Sequence, residues 1–192
     1  MTDPVFLGRP LSLSDLADVA RGFRGVAVAP EAREKVAASR RAVDAICAAG
    51  DSAKPVYGVN TGFGALAETR VAAKDLEALQ RNLIRSHATG VGTDLGVAEV
   101  RGIMLLRAQV LALGHSGVRL EVLDLLVECI NHRVHPRIPS QGSVGASGDL
   151  APLAHLALVL IGEGECIEVD GRIVEISDKL KVVSPSPLTL AA

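Results

Sequence analysis

The residues from Gln141 to Leu150 combine a backbone built for sharp turns with a hydroxyl and a carboxylate. They read Gln-Gly-Ser-Val-Gly-Ala-Ser-Gly-Asp-Leu, with three glycines at intervals of three and small residues between them. Glycine has no Cβ, so it tolerates the positive φ angles that other residues avoid. Such a segment predicts one of three chemistries: a phosphate-binding loop, a nucleophile turn, or a reaction of the backbone itself.

The first two chemistries fit the pattern poorly. A phosphate-binding loop ends in Gly-Lys-Ser or Gly-Lys-Thr, whereas this segment ends in Gly148-Asp149, and a carboxylate repels phosphate. A serine-hydrolase turn requires Gly-x-Ser-x-Gly, but Ser147 is followed directly by glycine. The pattern therefore favours the backbone reaction.

Each residue of Ala146-Ser147-Gly148 suits such a reaction. If the chain bends sharply here, the Gly148 amide nitrogen can attack the Ala146 carbonyl carbon and close a five-membered ring. Loss of two waters, one of them taking the Ser147 hydroxyl, then leaves an exocyclic methylidene conjugated with the ring carbonyl. Alanine is small, serine supplies the leaving hydroxyl, and glycine has an unhindered nitrogen and tolerates the strain. The product is an electrophile that no ordinary side chain offers.

Periodic apolar residues predict that a mainly α-helical scaffold positions this segment. Ser12 and Ser14 are candidate N-caps for the first helix, and Pro30 suits the first turn of the second. The last helix is apolar almost all round, so we expect it to be buried. Two short β elements are expected, an edge strand within 5–11 and a hairpin over 166–176 around Asp170-Gly171. The expected helices span residues 12–22, 30–50, 72–88, 97–113, 119–132 and 150–161.

The composition excludes several classes of function. The net charge is −2 and no basic stripe with aromatic residues is present, so nucleic acid is not expected as a partner. Three widely spaced cysteines give no disulfide framework. The chain begins without the basic and apolar blocks of a signal peptide, and its longest apolar run is too short to span a bilayer. We therefore expect a soluble, cytoplasmic protein without a membrane partner.

A metal site is a further alternative, because Cys129, His132 and His135 follow one another at intervals of three. These residues lie at a predicted helix end and in a proline-containing loop, which seldom bring such side chains together. Histidines near a helix C-terminus are favoured by the helix dipole. Structural roles are the better interpretation, and we expect no metal.

Three segments resemble motifs of the histidine/aromatic amino acid ammonia-lyases, in the family's order. Residues 142–155 (GSVGASGDLAPLAH) resemble the family's signature, and residues 57–64 (YGVNTGFG) and 80–90 (QRNLIRSHATG) resemble two earlier motifs. That family forms a 4-methylideneimidazol-5-one (MIO) group autocatalytically from Ala-Ser-Gly. The resemblance implies the MIO-bearing N-terminal domain of the ammonia-lyase (fumarase/aspartase-like) fold, with MIO formed from Ala146-Ser147-Gly148 and no diffusible cofactor.

The resemblance also implies roles for single residues. Tyr57 would be the base that removes a proton from the substrate β-carbon, so its surroundings would have to favour the phenolate. His87 would lie against the substrate side chain. Asn60 and Gly64 would belong to the loop that holds Tyr57 and covers the bound substrate. The implied reaction is non-oxidative loss of ammonia from a small amino acid.

The pair Ser86-His87 and the Gly-Ser-Val-Gly before the triad resemble the histidine-specific members of the family. The implied reaction is therefore L-histidine to trans-urocanate and ammonia. Lyases for tyrosine or phenylalanine, and aminomutases, remain alternatives, as does a non-catalytic helical interaction module. The family's site is assembled in a homotetramer and uses groups from later parts of the chain. We therefore expect residues 1–192 to be an N-terminal domain, without the central helical bundle and C-terminal part, that is inactive alone.

Overall fold

The computed structural model describes residues 3–142, 144–145 and 148–175. Within them the fold is mainly helical, which confirms the expected fold class. Three short 3₁₀ segments, Gly50–Ser52, Gly64–Leu66 and Ala73–Asp75, adjoin the helices. The α-helices are α1 (Leu13–Ala20), α2 (Pro30–Ala48), α3 (Leu76–His87), α4 (Val97–Ala112), α5 (Leu120–Asn131) and α6 (Leu150–Leu160).

The described strands are short and form four separate pairs. The predicted N-terminal strand and the hairpin around Asp170-Gly171 are both present, whereas the other pairings were not predicted. Strand β1 (Val5–Leu7) lies parallel to β2 (Val26–Val28). The antiparallel pairs are β3 (Val91–Asp94) with β4 (Pro139–Gln141), β5 (Val144–Gly145) with β6 (Gly148–Asp149), and β7 (Glu165–Ile167) with β8 (Ile173–Glu175).

The beginnings of the first two helices follow from local chemistry. Ser12, and not Ser14, is the N-cap of α1: its Oγ accepts a hydrogen bond from the Asp15 N–H at 3.0 Å, and the Asp15 carboxylate accepts one from the Ser12 N–H at 3.2 Å. This reciprocal capping box satisfies two backbone donors that a helix start leaves unpaired. Pro30 occupies the first turn of α2, where its missing N–H costs nothing.

The core lies between α4 and α5, and its large members are aliphatic, as the low aromatic content requires. Met104, Leu105, Leu123, Leu126 and Ile130 are fully buried. Helix α4 also packs on α1, and α3 packs on α6. Helices α4 and α5 therefore form the centre of the fold, and α3 and α6 form the adjoining layer that positions the site.

A buried arginine joins the ends of two helices. Arg101 on α4 is 1% exposed. Its Nε donates to the Val19 carbonyl and its Nη1 to the Ile130 carbonyl, both at 2.9 Å. These carbonyls lie in the last turns of α1 and α5, where the helix dipole is negative. The Phe23 ring covers the guanidinium, with 4.5 Å between Cζ and the ring centroid. Two dipole ends and an aromatic face thus replace the hydration of the buried charge.

His135 completes this cluster as a neutral side chain. Arg101 Nη1 donates to His135 Nε2 at 3.3 Å, and His135 Nδ1 faces the Ile167 carbonyl, also at 3.3 Å. Nε2 is therefore the acceptor nitrogen and Nδ1 bears the proton. Burial first, and then the charge of Arg101, lowers the pKa of His135 to about 4. Burial also lowers the pKa of Arg101 to about 10, with the nearby Arg133 charge adding to the effect.

Candidate active site

Two short paired strands adjoin Ala146-Ser147-Gly148, the segment that is expected to form the electrophile (the electrophile segment). Gly145 in β5 pairs with Gly148 in β6, and Val144 pairs with Asp149. The backbone therefore reverses direction between Gly145 and Gly148. The predicted site residues Ala146 and Ser147 lie outside the described residues. Gly148 is described, and it directly precedes the last residue before that helix.

His87 is the last residue of α3, and its ring has a defined tautomer. Nδ1 lies 2.9 Å from the Leu83 carbonyl oxygen, which can only accept a hydrogen bond, so Nδ1 bears the proton. The Ser86 hydroxyl, 3.1 Å from the same nitrogen, also donates to the Leu83 carbonyl. Nε2 is consequently the lone-pair nitrogen of a half-buried imidazole. The ring can accept a hydrogen bond from a ligand at that atom.

The chain leaving His87 runs directly against the approach to the electrophile segment. The Gly90 N–H donates to His155 Nε2 at 3.1 Å, and a Cβ on Gly90 would lie 3.0 Å from that nitrogen and 3.1 Å from Pro139 Cβ. A Cβ on Gly142 would lie 2.4 Å from the Ala151 Cβ and 3.8 Å from the Gly90 Cα. A side chain at Gly142 would therefore force a shift of Ala151, and one at Gly90 would fit only tightly against His155 and Pro139. Two of the three motifs are in contact.

The loop bearing Tyr57 is held by its own hydrogen bonds. The buried Asn60 carboxamide accepts from the Val56 N–H at 2.7 Å and donates to the Lys54 carbonyl at 3.0 Å. Gly64 has a φ of +57° and begins the short 3₁₀ segment that follows. The Tyr57 ring lies edge-on to Phe63 with 5.7 Å between centroids. Asn60 and Gly64 thus shape the loop that presents Tyr57.

Tyr57 is solvent-exposed in this chain, with 64% of its surface accessible. It lines a cleft together with Pro55, Thr61, Ala67 and Glu68. Its neighbours Gly58 and Val59 instead line a cavity of about 180 Å³ with Gln80 and Ile84 of α3. Helix α3 therefore has the Tyr57 loop on one side and leads at its end to His87. The structure brings Gly90, three residues after His87, close to Gly142 and leaves the Tyr57 ring facing solvent.

Sequence reasoning missed Arg137, which links strand β3 to strand β7 beside Gly90. Its Nε donates to Asp94 Oδ2 at 2.9 Å and its Nη1 to Glu165 Oε2 at 2.6 Å. These hydrogen bonds to carboxylates raise the pKa of Arg137. Arg137, Glu165, His155 and Gly90 line one cavity. The three charged residues Asp94, Arg137 and Glu165 lie far apart in the sequence, so no local pattern marks this arrangement.

The residues first considered for a metal have other partners. His132 Nε2 lies 3.1 Å from the Glu128 carboxylate, and His135 belongs to the Arg101 cluster. Cys129 is buried, and burial raises the pKa of its thiol to about 12. In the part of the chain that the structure describes, no group of three or more His, Cys, Asp or Glu side chains could hold a metal ion. Over the same residues, no helix combines the length and apolar character needed to cross a bilayer.

The helical layers and the glycine-bracketed hairpin define a protein with the fold of the ammonia-lyases and aminomutases. A tyrosine aminomutase from Streptomyces globisporus is 38% identical, with a TM-score of 0.89 over 98% of this chain and 35% of that one. The chain belongs to the aromatic amino acid lyase family, whose family model matches residues 11–192.

Two further relatives are named histidine ammonia-lyase. One, from Sorangium cellulosum, is 65% identical over 188 residues, which are 98% of this chain. The chain spans 36% of that relative's length. The other is a solved structure from Trypanosoma cruzi, 37% identical with a TM-score of 0.85 over 99% of this chain and 36% of that one.

Proposed function

We propose that this chain provides the MIO-forming part of an ammonia-lyase that converts L-histidine to trans-urocanate and ammonia. The observation that carries the proposal is the pairing of Gly145 with Gly148 on either side of Ala146-Ser147. Ring closure needs the Ala146 carbonyl and the Gly148 nitrogen to approach one another, which an extended chain forbids. A reversal held by a strand pair on both sides supports that approach.

The flanking residues also suit the group. Gly145 and Gly148 present no side chain at the paired positions, so the backbone on either side of the ring is open to a substrate. Once formed, MIO would supply an electrophile for capturing the substrate amino acid. The chain's own residues would then bind the substrate and move its protons.

His87 suits binding of an imidazole substrate. Its Nδ1 proton is committed to the Leu83 carbonyl, so Nε2 can accept a hydrogen bond from an imidazole N–H. A Tyr57 phenolate would take the proton from the substrate β-carbon, and Asn60 and Gly64 would keep the loop that presents it in shape. The 65% identity to a histidine ammonia-lyase supports histidine as the substrate.

Tyr57 is too exposed in the single chain to act as a base, because water would solvate both its phenolate oxygen and the substrate. The proposal therefore includes a covering of the Tyr57 loop by further protein. A homotetramer, as the family resemblance implies, would provide it, and residues 1–192 would act as one MIO-bearing domain within a cytoplasmic enzyme. The chain alone is expected to be inactive.

Two measurements test the proposal. Intact mass of the 192-residue chain detects ring closure as a deficit of two water molecules. Activity is tested in a chimaera in which this chain replaces the matched 188 residues of the Sorangium cellulosum relative. Urocanate absorbance is then followed with L-histidine as substrate.

Ser147→Ala and Ser140→Ala form a matched pair for both measurements. Ser147→Ala removes the leaving hydroxyl, so we expect neither the mass deficit nor urocanate. Ser140, whose Oγ faces the Thr93 hydroxyl at 3.3 Å, is expected to be dispensable for both. A chimaera that carries the mass deficit yet releases no ammonia from histidine would contradict the proposed substrate.

An aminomutase is the second candidate, since the tyrosine aminomutase structure, at 38% identity, is as similar to this chain as the Trypanosoma cruzi histidine ammonia-lyase structure, at 37%. The two activities differ in product. An aminomutase returns a β-amino acid from tyrosine or phenylalanine, whereas a lyase releases ammonia and an unsaturated acid. Product analysis of the same chimaera with each amino acid separates them. A β-amino acid as the main product would replace the lyase assignment.

A further inference from the structure

We propose that His155 is a positioning residue that sets the separation between His87 and the electrophile segment and thereby the affinity for substrate. The inference rests on the proposed function and assigns a role to the last residue of the signature segment 142–155. The structure places His155, half-buried, at the junction of two motifs.

One face of α6 holds both sides of this junction. Ala151 and His155 are four residues apart, so they lie on the same helical face one turn from each other. Ala151 lies against Gly142, four residues before Ala146, and His155 accepts from the Gly90 N–H. Helix α6 also begins at Leu150, two residues after Gly148, the last residue of the triad. Helix α6 therefore contacts both motifs and fixes their positions relative to each other.

The link from Gly90 back to His87 is short and stiff. The Ala88 N–H donates to the Ile84 carbonyl at 3.1 Å, and the Thr89 N–H donates to the His87 carbonyl at 2.9 Å. With these two bonds in place, a displacement of Gly90 is passed on to the His87 backbone. Gly90 is closely packed on its Cβ side, since a Cβ there would lie 3.0 Å from His155 Nε2 and 3.1 Å from Pro139 Cβ.

A contact between α3 and the loop that follows α6 is weaker as a constraint. Arg85 forms a bidentate ion pair with Glu163, at 2.8 and 2.6 Å, but both side chains are partly in solvent. Exposed ion pairs contribute little to fixing geometry. The partly buried N–H···N bond of Gly90 lies closer to His87 along the chain and is the better candidate for setting the position of His87.

The bond requires a neutral imidazole, and the surroundings favour one. Burial, followed by the charge of Arg137, lowers the pKa of His155, while the Asp94 carboxylate acts in the opposite direction. Nε2 is then free of its proton and can accept from Gly90. A glutamine side chain offers an oxygen at a similar reach, whereas leucine offers no acceptor.

The test compares His155→Leu with His155→Gln in the chimaera described above. For His155→Leu we expect KM for the turned-over amino acid to rise about tenfold, the effect of one lost hydrogen bond, with kcat changed far less. His155→Gln is expected to restore KM to near the wild-type value. His132→Leu, at an exposed histidine paired only with Glu128, is the matched control and is expected to leave KM unchanged.

A readout that needs no activity accompanies the kinetics. Amide hydrogen exchange in the 192-residue chain is expected to be faster at Gly90 in His155→Leu, with core amides unaffected and with normal protection in His155→Gln. Exchange that accelerates throughout the chain would indicate a purely structural role and overturn the inference. An unchanged KM in His155→Leu would overturn it as well. An inactive wild-type chimaera would instead refute the proposed function, which distinguishes the two failures.

Discussion

Replacing Arg101 with methionine tests how the fold stabilises a buried charge. The change removes a guanidinium that is 1% exposed and that donates to the Val19 and Ile130 carbonyls. Methionine fills much of the same volume, so the cavity contribution to the loss is small. What remains is two helix-terminal carbonyls and one imidazole nitrogen buried without a donor.

The magnitude follows from those lost partners. A hydrogen bond to a charged group contributes about 1.5–3 kcal/mol to the free energy of unfolding, so two of them give about 3–6 kcal/mol. Domains unfold with about 5–15 kcal/mol in total. We therefore expect Arg101→Met to be marginally folded at room temperature. Arg101→Lys keeps the charge but reaches fewer acceptors, so an intermediate loss is expected.

Urea unfolding followed by circular dichroism measures the loss. Arg107→Met is the matched control, because Arg107 is an exposed residue of the same helix, and we expect its free energy of unfolding to change by about 0.5 kcal/mol or less. If Arg101→Met lost less than about 1 kcal/mol, the carbonyls would have found other donors. The view of Arg101 as the clamp between α1 and α5 would then be wrong.

Three further predictions concern other residues. The pKa of His135 lies at about 4 in the folded chain against 6.5 when unfolded, so stability is complete above pH 6.5 and falls as pH drops towards 4. The urea midpoint near pH 5 is expected to reflect a loss of up to about 2 kcal/mol relative to pH 8, and His135→Gln is expected to flatten that slope. Tyr57→Phe in the chimaera is expected to lower kcat by about 10²-fold or more while the mass deficit persists, and full activity would exclude Tyr57 as the base. Leu106→Ser with Leu153→Ser is expected to reduce hydrophobic-dye binding, because both leucines line one exposed apolar cleft; undiminished binding would place the apolar surface elsewhere.

Much of the helical fold could be predicted because its signals are local. The capping serine, Pro30 at a helix start, the apolar periodicity and the Asp170-Gly171 turn each act within a few residues. Boundaries moved by a few residues where a 3₁₀ turn took part of an expected helix, as at Ala73–Asp75 before α3. Helix α6 was expected to be buried because it is apolar all round. Only its inner face is buried, and Leu150 and Leu153 remain exposed.

The remaining features depend on contacts between distant segments. Strands β1 and β2 have three residues each and owe their pairing to the helices around them, so no alternating pattern announces them. Arg101 looks like any charged residue on a helix until α1 and α5 surround it. The partnership of Gly90 with His155 joins positions 65 residues apart. The resemblance of the three motifs predicted which residues form the site, but it gave no information on how those residues are held.

The pairing of β3 with β4 would have to precede the proposed cyclisation of Ala146-Ser147-Gly148. Helices α4 and α5 lie between these strands, and the Leu95 N–H reaches the Ile138 carbonyl only when both helices have folded back. Closing so long a loop is entropically costly and slow compared with helix formation. Four residues separate the end of β4 from Ala146, so the backbone reversal between Gly145 and Gly148 is anchored only at that stage. The proposed cyclisation would therefore occur after folding. The fraction of uncyclised molecules in a sample would then report how much time has passed since its chains folded.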